Sequence, residues 1–236
     1  MNILALESSA VSASAAIVRD GKLLCNLYLN NGLTHSVTLM PLVTKALEYT
    51  SLTLADIDVI SAAVGPGSFT GIRIGVAAAK GLALKNDIPC IPVSTLEGIA
   101  YPLKDSDAVA CAVMDARCSQ VYNALFSFED GKMTRLCPDR AISLEELKND
   151  IEKISKRIIL IGDGADISYK YLKDYLPNVS KASEIIKYQS AAGIALRAYD
   201  IYNETGETCS SFALAPSYLR LSQAERELKK KKEKNA

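Results

Sequence analysis

Short runs of hydrophobic residues open the chain with a strand-like rhythm. NILALES at 2–8 and VSASAAIV at 11–18 flank a Ser-Ser-Ala turn, and Asp20-Gly21 is a strong hairpin signal into KLLCNLYL at 22–29. Three strands in series are predicted. The period then lengthens: over 35–50 the apolar positions 39, 42, 43, 46 and 47 share one helix face. Thr34 is the expected N-cap, and Pro41 is expected to kink the helix. A buried strand is predicted at 58–64 (DVISAAV), followed by a glycine-rich loop, a helix to about 86, a short strand at 88–93 and a helix at 95–102.

The pattern then begins again. Strands are predicted at 108–114 (AVACAVM), 120–128 (QVYNALFSF) and 132–137, the last two joined by Glu129-Asp130-Gly131. A helix from Ser143 has Glu146 as its capping-box partner. A strand at 157–161 (RIILI) ends in Gly162-Asp163-Gly164, and helices follow near 166–174 and 183–204. Two βββαβα-like halves, each opening on a hairpin with an acidic residue (Glu7, Asp115), predict an α/β fold of the actin-like ATPase (ASKHA, RNase H-like) superfold. The polar stretch Lys104–Asp107 places the boundary between an N-terminal domain at 1–106 and a smaller second domain at 107–236 with a charged tail.

Composition narrows the chemistry. The 236 residues are 49% hydrophobic, enough to bury a sizeable core, and 27 basic residues balance 27 acidic ones, so no global positive field recruits nucleic acid. No run of about 18 apolar residues is present to span a membrane, and MNILALESSAVS reads as a first strand, not a signal peptide. Six scattered cysteines without a C-x-x-C motif read as reduced thiols of a cytoplasmic protein. The single histidine, His35, excludes a multi-histidine zinc site and H-E-x-x-H chemistry, and no G-x-S-x-G elbow presents a serine to it.

The stretch AVGPGSFTGIRIGVAAAKGLAL at 63–84 admits two readings. Its glycines and the following helix N-terminus suit a phosphate, but Ile72 and Arg73 follow Gly71 where a Walker loop needs Lys-Ser/Thr. Gly67, Gly71, Gly75, Ala79 and Ala83 also recur every four residues, a stripe of small residues along one helix face. Such a face packs closely on the chain's own sheet or on helix 35–50, or it meets another subunit.

Seven segments together carry a family resemblance: ILALESSAVSASAAIV, HSVTLMPLVTKALE, the glycine block, VSTLEGIA, VMDARCSQVYNALF, IGDGA and PSYLR. In order and spacing they resemble the TsaB (YeaZ) family, the partner subunit of the bacterial machinery that makes threonylcarbamoyladenosine (t6A) in tRNA. The catalytic relative, TsaD, has a metal-binding H-x-x-x-H where this chain has Thr95-Leu96-Glu97-Gly98-Ile99. Threonine is a poor ligand there and isoleucine cannot be one, so the resemblance implies a pseudo-enzyme. It further implies a heterodimer with TsaD, or a homodimer of the isolated chain. The implied interface residues are His35, Leu39, Leu42 and Val43 on one helix and Phe69, Gly71, Ile72, Gly75 and Ala79 on the other. An ATPase, TsaE, and tRNA would join through the complex, which uses ATP; no cofactor or metal is assigned to this chain.

The remaining candidates line a vestigial nucleotide cleft in the same superfold. Glu7 stands where the superfamily places the carboxylate that orders a metal-nucleotide, yet it has no lysine or histidine partner in reach. Asp115 and Arg117 read as a domain-bridging ion pair or cleft lining, and Gly162-Asp163-Gly164 as an adenosine-side loop or a plain strand-to-helix turn. His35 reads as a capping or packing histidine. The tail AERELKKKKEK reads as a solvated helix end, not a tRNA contact. Two other classes remain open: an active small-molecule kinase or peptidase of this superfold, and a self-sufficient homodimeric binding module.

Overall fold

A computed structural model describes residues 1–220; the charged tail lies outside the described residues. Two sheets of the same topology account for the repeat. β1 (Asn2–Glu7), β2 (Ala13–Arg19) and β3 (Lys22–Leu29) run antiparallel, and β4 (Val59–Gly65) and β5 (Cys90–Ser94) continue in parallel beyond β1, giving the order β3-β2-β1-β4-β5. In the second sheet β6 (Val109–Asp115), β7 (Gln120–Glu129) and β8 (Lys132–Arg135) repeat the antiparallel meander. A short β9 (Arg140–Ser143) pairs with β7, and β10 (Ile158–Ile161) and β11 (Val179–Lys181) complete the order β8-β7-β6-β10-β11. This duplicated order is the actin-like fold.

Alternation decides which helix covers which face. Leu4, Leu6, Ala15 and Ile17 point to one side of the first sheet, where α1 (His35–Tyr49) inserts Leu39, Val43 and Ala46 and α2 (Phe69–Leu84) inserts Ile72, Val76, Ala79 and Ala83. Ile3, Ala5, Ala16 and Val18 point to the other side, against Ala191, Ile194, Ala195 and Ala198 of α6 (Ala191–Thr205). Leu96 and Ile99 of α3 (Thr95–Ala100) pack on Ala110, Ala112 and Phe126 of the second sheet. Its far face is closed by α4 (Leu144–Ile151) and α5 (Ala165–Leu172).

Packing crosses the expected boundary at 106/107: α6 lies on the first sheet, and Cys209 pairs with Cys90 of β5 by two backbone hydrogen bonds of 2.8 Å. Conversely α3, from the N-terminal half, covers the second sheet. Each strongly apolar sheet has two faces to bury; α3 touches strands of both sheets and packs on α6, which covers the first. Among the described residues no helix is long and apolar enough to cross a membrane.

Locally the capping signals behave as chemistry dictates. Ser143 and Glu146 make the reciprocal capping box. Thr34 adopts the extended N-cap backbone without a side-chain bond, and α1 continues through Pro41 to Tyr49.

Candidate functional site

A cleft opens between the two lobes where the strands of both sheets end, with a cavity of about 390 Å³. Four turns supply its walls: the β1–β2 turn (Ser9, Ala10, Val11), the β4–α2 loop (Pro66–Phe69), the β6–β7 turn (Met114–Arg117) and the β10–α5 loop (Asp163). The segment Ser217–Arg220 closes the mouth.

Beneath the floor lies Glu7, at the end of β1 and 1% exposed. Its Oε1 accepts the Ser9 N–H at 2.5 Å. Burial pushes its carboxyl up to about 7, and the negative Asp163 nearby adds to the rise while hydrogen bonds from Ser9 oppose it. Asp163 itself is pushed up to about 6, again mainly by burial and with a contribution from Asp115; the Gln189 Nε2–H bond to its Oδ1 at 2.7 Å acts against the rise. Three acidic side chains from both lobes thus influence one another. Ser9 is fully buried and lines the cavity beside Glu7.

The structure separates Asp115 from Arg117. Asp115 Oδ1 accepts the Arg117 backbone N–H at 2.8 Å, and no ion pair links the two lobes through these side chains among the described residues. Arg117, Cys118 and Ser119 all have positive φ, one left-handed turn that carries Arg117 into the cleft lining. Of the Gly162-Asp163-Gly164 loop only Asp163 lines the cavity. A Cβ on Gly162 would stand 2.0 Å from the Val113 carbonyl oxygen, and one on Gly164 would press on Met114. Those two glycines let the loop lie on β6.

The glycine stripe packs on the chain's own first turn. A Cβ on Gly71 would lie 2.1 Å from the Ser8 carbonyl oxygen, and one on Gly75 would lie 2.6 Å from Ser8 Oγ. Ser8 Oγ in turn donates to the Gly71 carbonyl at 2.9 Å. At the helix start Ser68 Oγ accepts the Gly71 N–H, and the Ser68 N–H donates to the Ser9 carbonyl at 2.6 Å. The donors that a phosphate would need are partly consumed.

Most of the expected interface residues are covered within this chain. Leu39, Val43, Gly71, Ile72, Gly75 and Ala79 are buried inside this chain, so their side chains are not on its surface. Leu42 and Phe69 are half-buried. His35 points inward: its Nε2–H donates to the Ala10 carbonyl at 2.7 Å, fixing the β1–β2 turn beside the cleft. The exposed apolar side chains of this region are others: Leu33, Val37, Met40 and Leu84.

Comparison with known proteins fits this geometry. A family model described as TsaD, tRNA N6-adenosine threonylcarbamoyltransferase, matches residues 31–228. The tRNA threonylcarbamoyladenosine biosynthesis protein TsaB of Bacillus subtilis is 28% identical over 95% of this chain and 96% of its own length. The protein of the same description from Escherichia coli is 30% identical over 70% of this chain and 72% of its own. The chain belongs to the TsaB (YeaZ) family. The structure of YeaZ from Pseudomonas aeruginosa superposes with a TM-score of 0.79 at 22% identity, covering 92% of this chain and 99% of that one, which shows the shared fold.

Where the catalytic relative's metal ligands would fall, the residues present do not fit a metal. Thr95 is fully buried, its Oγ1 without a partner among the described residues, and Ile99 belongs to the second sheet's core. Glu97, between them, is held by Arg135 Nη2 at 3.0 Å and Arg197 Nε at 3.5 Å. This ion network, together with a Ser94 Oγ–H bond to Asp139 at 2.6 Å, ties the lobes together. Sequence reasoning missed both that network and the mouth segment. PSYLR was visible only as a family segment, with nothing local to say what it touches.

Proposed function

We propose that this chain is the non-catalytic subunit of the t6A machinery. It pairs with a TsaD-type transferase and, with the ATPase TsaE, supports N6-threonylcarbamoylation of adenosine 37 in tRNAs that read ANN codons. The observation that carries this reading is the core-buried Thr95 and Ile99 in place of metal ligands, in a chain whose relatives are named as t6A biosynthesis proteins. The cleft adds no catalytic pair: among the described residues no histidine, lysine or cysteine lines it. The sole histidine is spent on the Ala10 carbonyl.

The pairing surface follows from burial. α1 and α2 lie side by side on one face of the first sheet, and their outward faces carry Val37, Met40 and Leu84, with Leu33 just before α1. Leu84 lies at the far end of α2, whereas Leu33, Val37 and Met40, grouped at the start of α1, suit a helix-to-helix subunit contact. Charge placed there should weaken pairing by about a hundredfold. Surface substitutions of this kind move stability by no more than about 0.5 kcal/mol.

The test is reconstitution. The chain, its TsaD-type transferase and TsaE are mixed with ATP, a threonylcarbamoyl donor and unmodified tRNA, and t6A is measured with each protein omitted in turn. Modification that requires this chain, and a complex lost in Val37→Glu/Met40→Glu, is the expected outcome. Undiminished modification without the chain would refute the proposal.

A further inference from the structure

We propose that Ser217–Arg220 is a latch across the cleft mouth: it ties one lobe to the other over the cavity and opens locally while both cores stay closed. This goes beyond the pairing reading and stands without it.

On its N-terminal side the segment is firmly anchored. Leu214 is fully buried in the first core, and Lys80 Nζ donates to the Phe212 and Leu214 carbonyls at 3.1 Å each. Pro216 follows and stiffens the chain into an extended run. Beyond it Ser217, Tyr218 and Leu219 are exposed. On the first lobe the Ser217 N–H donates to the Val64 carbonyl at 2.7 Å. This approach needs Gly65, where a Cβ would stand 2.2 Å from the Ser217 carbonyl oxygen. Tyr218 stacks on Phe69 with ring centroids 4.4 Å apart, and Arg73 Nε donates to its hydroxyl at 2.8 Å. The same guanidinium lies 3.9 Å from the Phe69 ring centre.

On the second lobe the latch has one hydrogen bond among the described residues. Arg220 Nη1 donates to the Ala116 carbonyl at 3.0 Å, and its guanidinium lies 5.8 Å from the Tyr122 ring centre. Ala116 begins the left-handed turn that presents Arg117 to the cavity. The latch thus joins the glycine loop of one lobe to the left-handed turn of the other, through residues separate from the Glu97–Arg135–Arg197 network. A small number of such bonds at the rim opens locally without disturbing the cores.

Amide exchange read residue by residue tests this on the full chain. Tyr218→Ala should speed exchange of the Ser217 amide and of the Ala116–Gln120 amides together, by about fivefold or more, while the β1 and β6 amides keep their rates. Arg220→Met should speed the Ala116–Gln120 amides to a similar degree. Tyr218→Phe, which keeps the stack, should fall between Tyr218→Ala and the unaltered chain. If Tyr218→Ala leaves Ala116–Gln120 unchanged, the segment does not couple the lobes and the proposal fails. Equal acceleration in β1 and β6 would also overturn it, because the segment would then be part of the core.

Discussion

Gly71→Ala is expected to cost about 3 kcal/mol or more and to reduce the yield of folded protein sharply. The added methyl would meet the Ser8 carbonyl oxygen at 2.1 Å, a backbone atom that cannot rotate away. Relief requires α2 to lift from the β1–β2 turn. That movement breaks the Ser8 Oγ–H bond to the Gly71 carbonyl and the Ser68 N–H bond to the Ser9 carbonyl. Gly81→Ala on the same helix is the control: nothing lies within 4 Å of its added Cβ, and alanine favours the helix by about 1 kcal/mol. Urea unfolding of the two variants should therefore move in opposite directions. A stripe that served only to meet another subunit would give two equally stable monomers.

Glu7→Gln is expected to stabilise the protein at pH 8 and to leave it unchanged near pH 4.5. The unfolded chain ionises this carboxyl near 4.5, whereas burial holds the proton in the folded chain up to about 7. Between those values the unfolded state is the one that gains from ionisation, so the stability contributed by the protonated form is lost as pH rises through 7. Asp163, raised from 3.8 to about 6, acts with the same sign. Glutamine keeps an oxygen to accept the Ser9 N–H and never ionises. At pH 8 the gain should approach about 3 kcal/mol, because each tenfold change in proton affinity between the folded and unfolded chain is worth about 1.4 kcal/mol. Urea midpoints at pH 4.5 and pH 8 decide the matter; the same difference at both values would show that Glu7 acts through packing alone.

What was legible in the sequence was local. The paired hairpins came from period-two runs ending at Asp20-Gly21 and Asp130-Gly131, and α4 came from the Ser143/Glu146 box. β9 and β11 were missed because four and three residues carry no period of their own; only pairing with β7 and β10 makes them strands. α6 begins at Ala191, not 183, because Lys187 is drawn into ion pairs with Asp166 and Glu184 and Ser12 Oγ donates to the Gln189 carbonyl. The site divides in the same way. Spacing revealed the glycine stripe, but not that it faces Ser8, 63 residues earlier than Gly71. Arg73 and Tyr218 are 145 residues apart, and no periodicity joins them.

On the reading proposed above, this chain contributes surface and not chemistry. The direct measurement is the t6A rate of the reconstituted system in which this chain carries Glu7→Gln, Asp115→Asn and Asp163→Asn together. These three carboxyls are the acidic groups gathered at the cleft, and the substitutions leave Val37, Met40 and Leu84 untouched. A rate within about twofold of the unaltered system is predicted. A fall of a hundredfold or more, with the complex still intact by mass, would put catalysis in this chain's cleft and contradict the account.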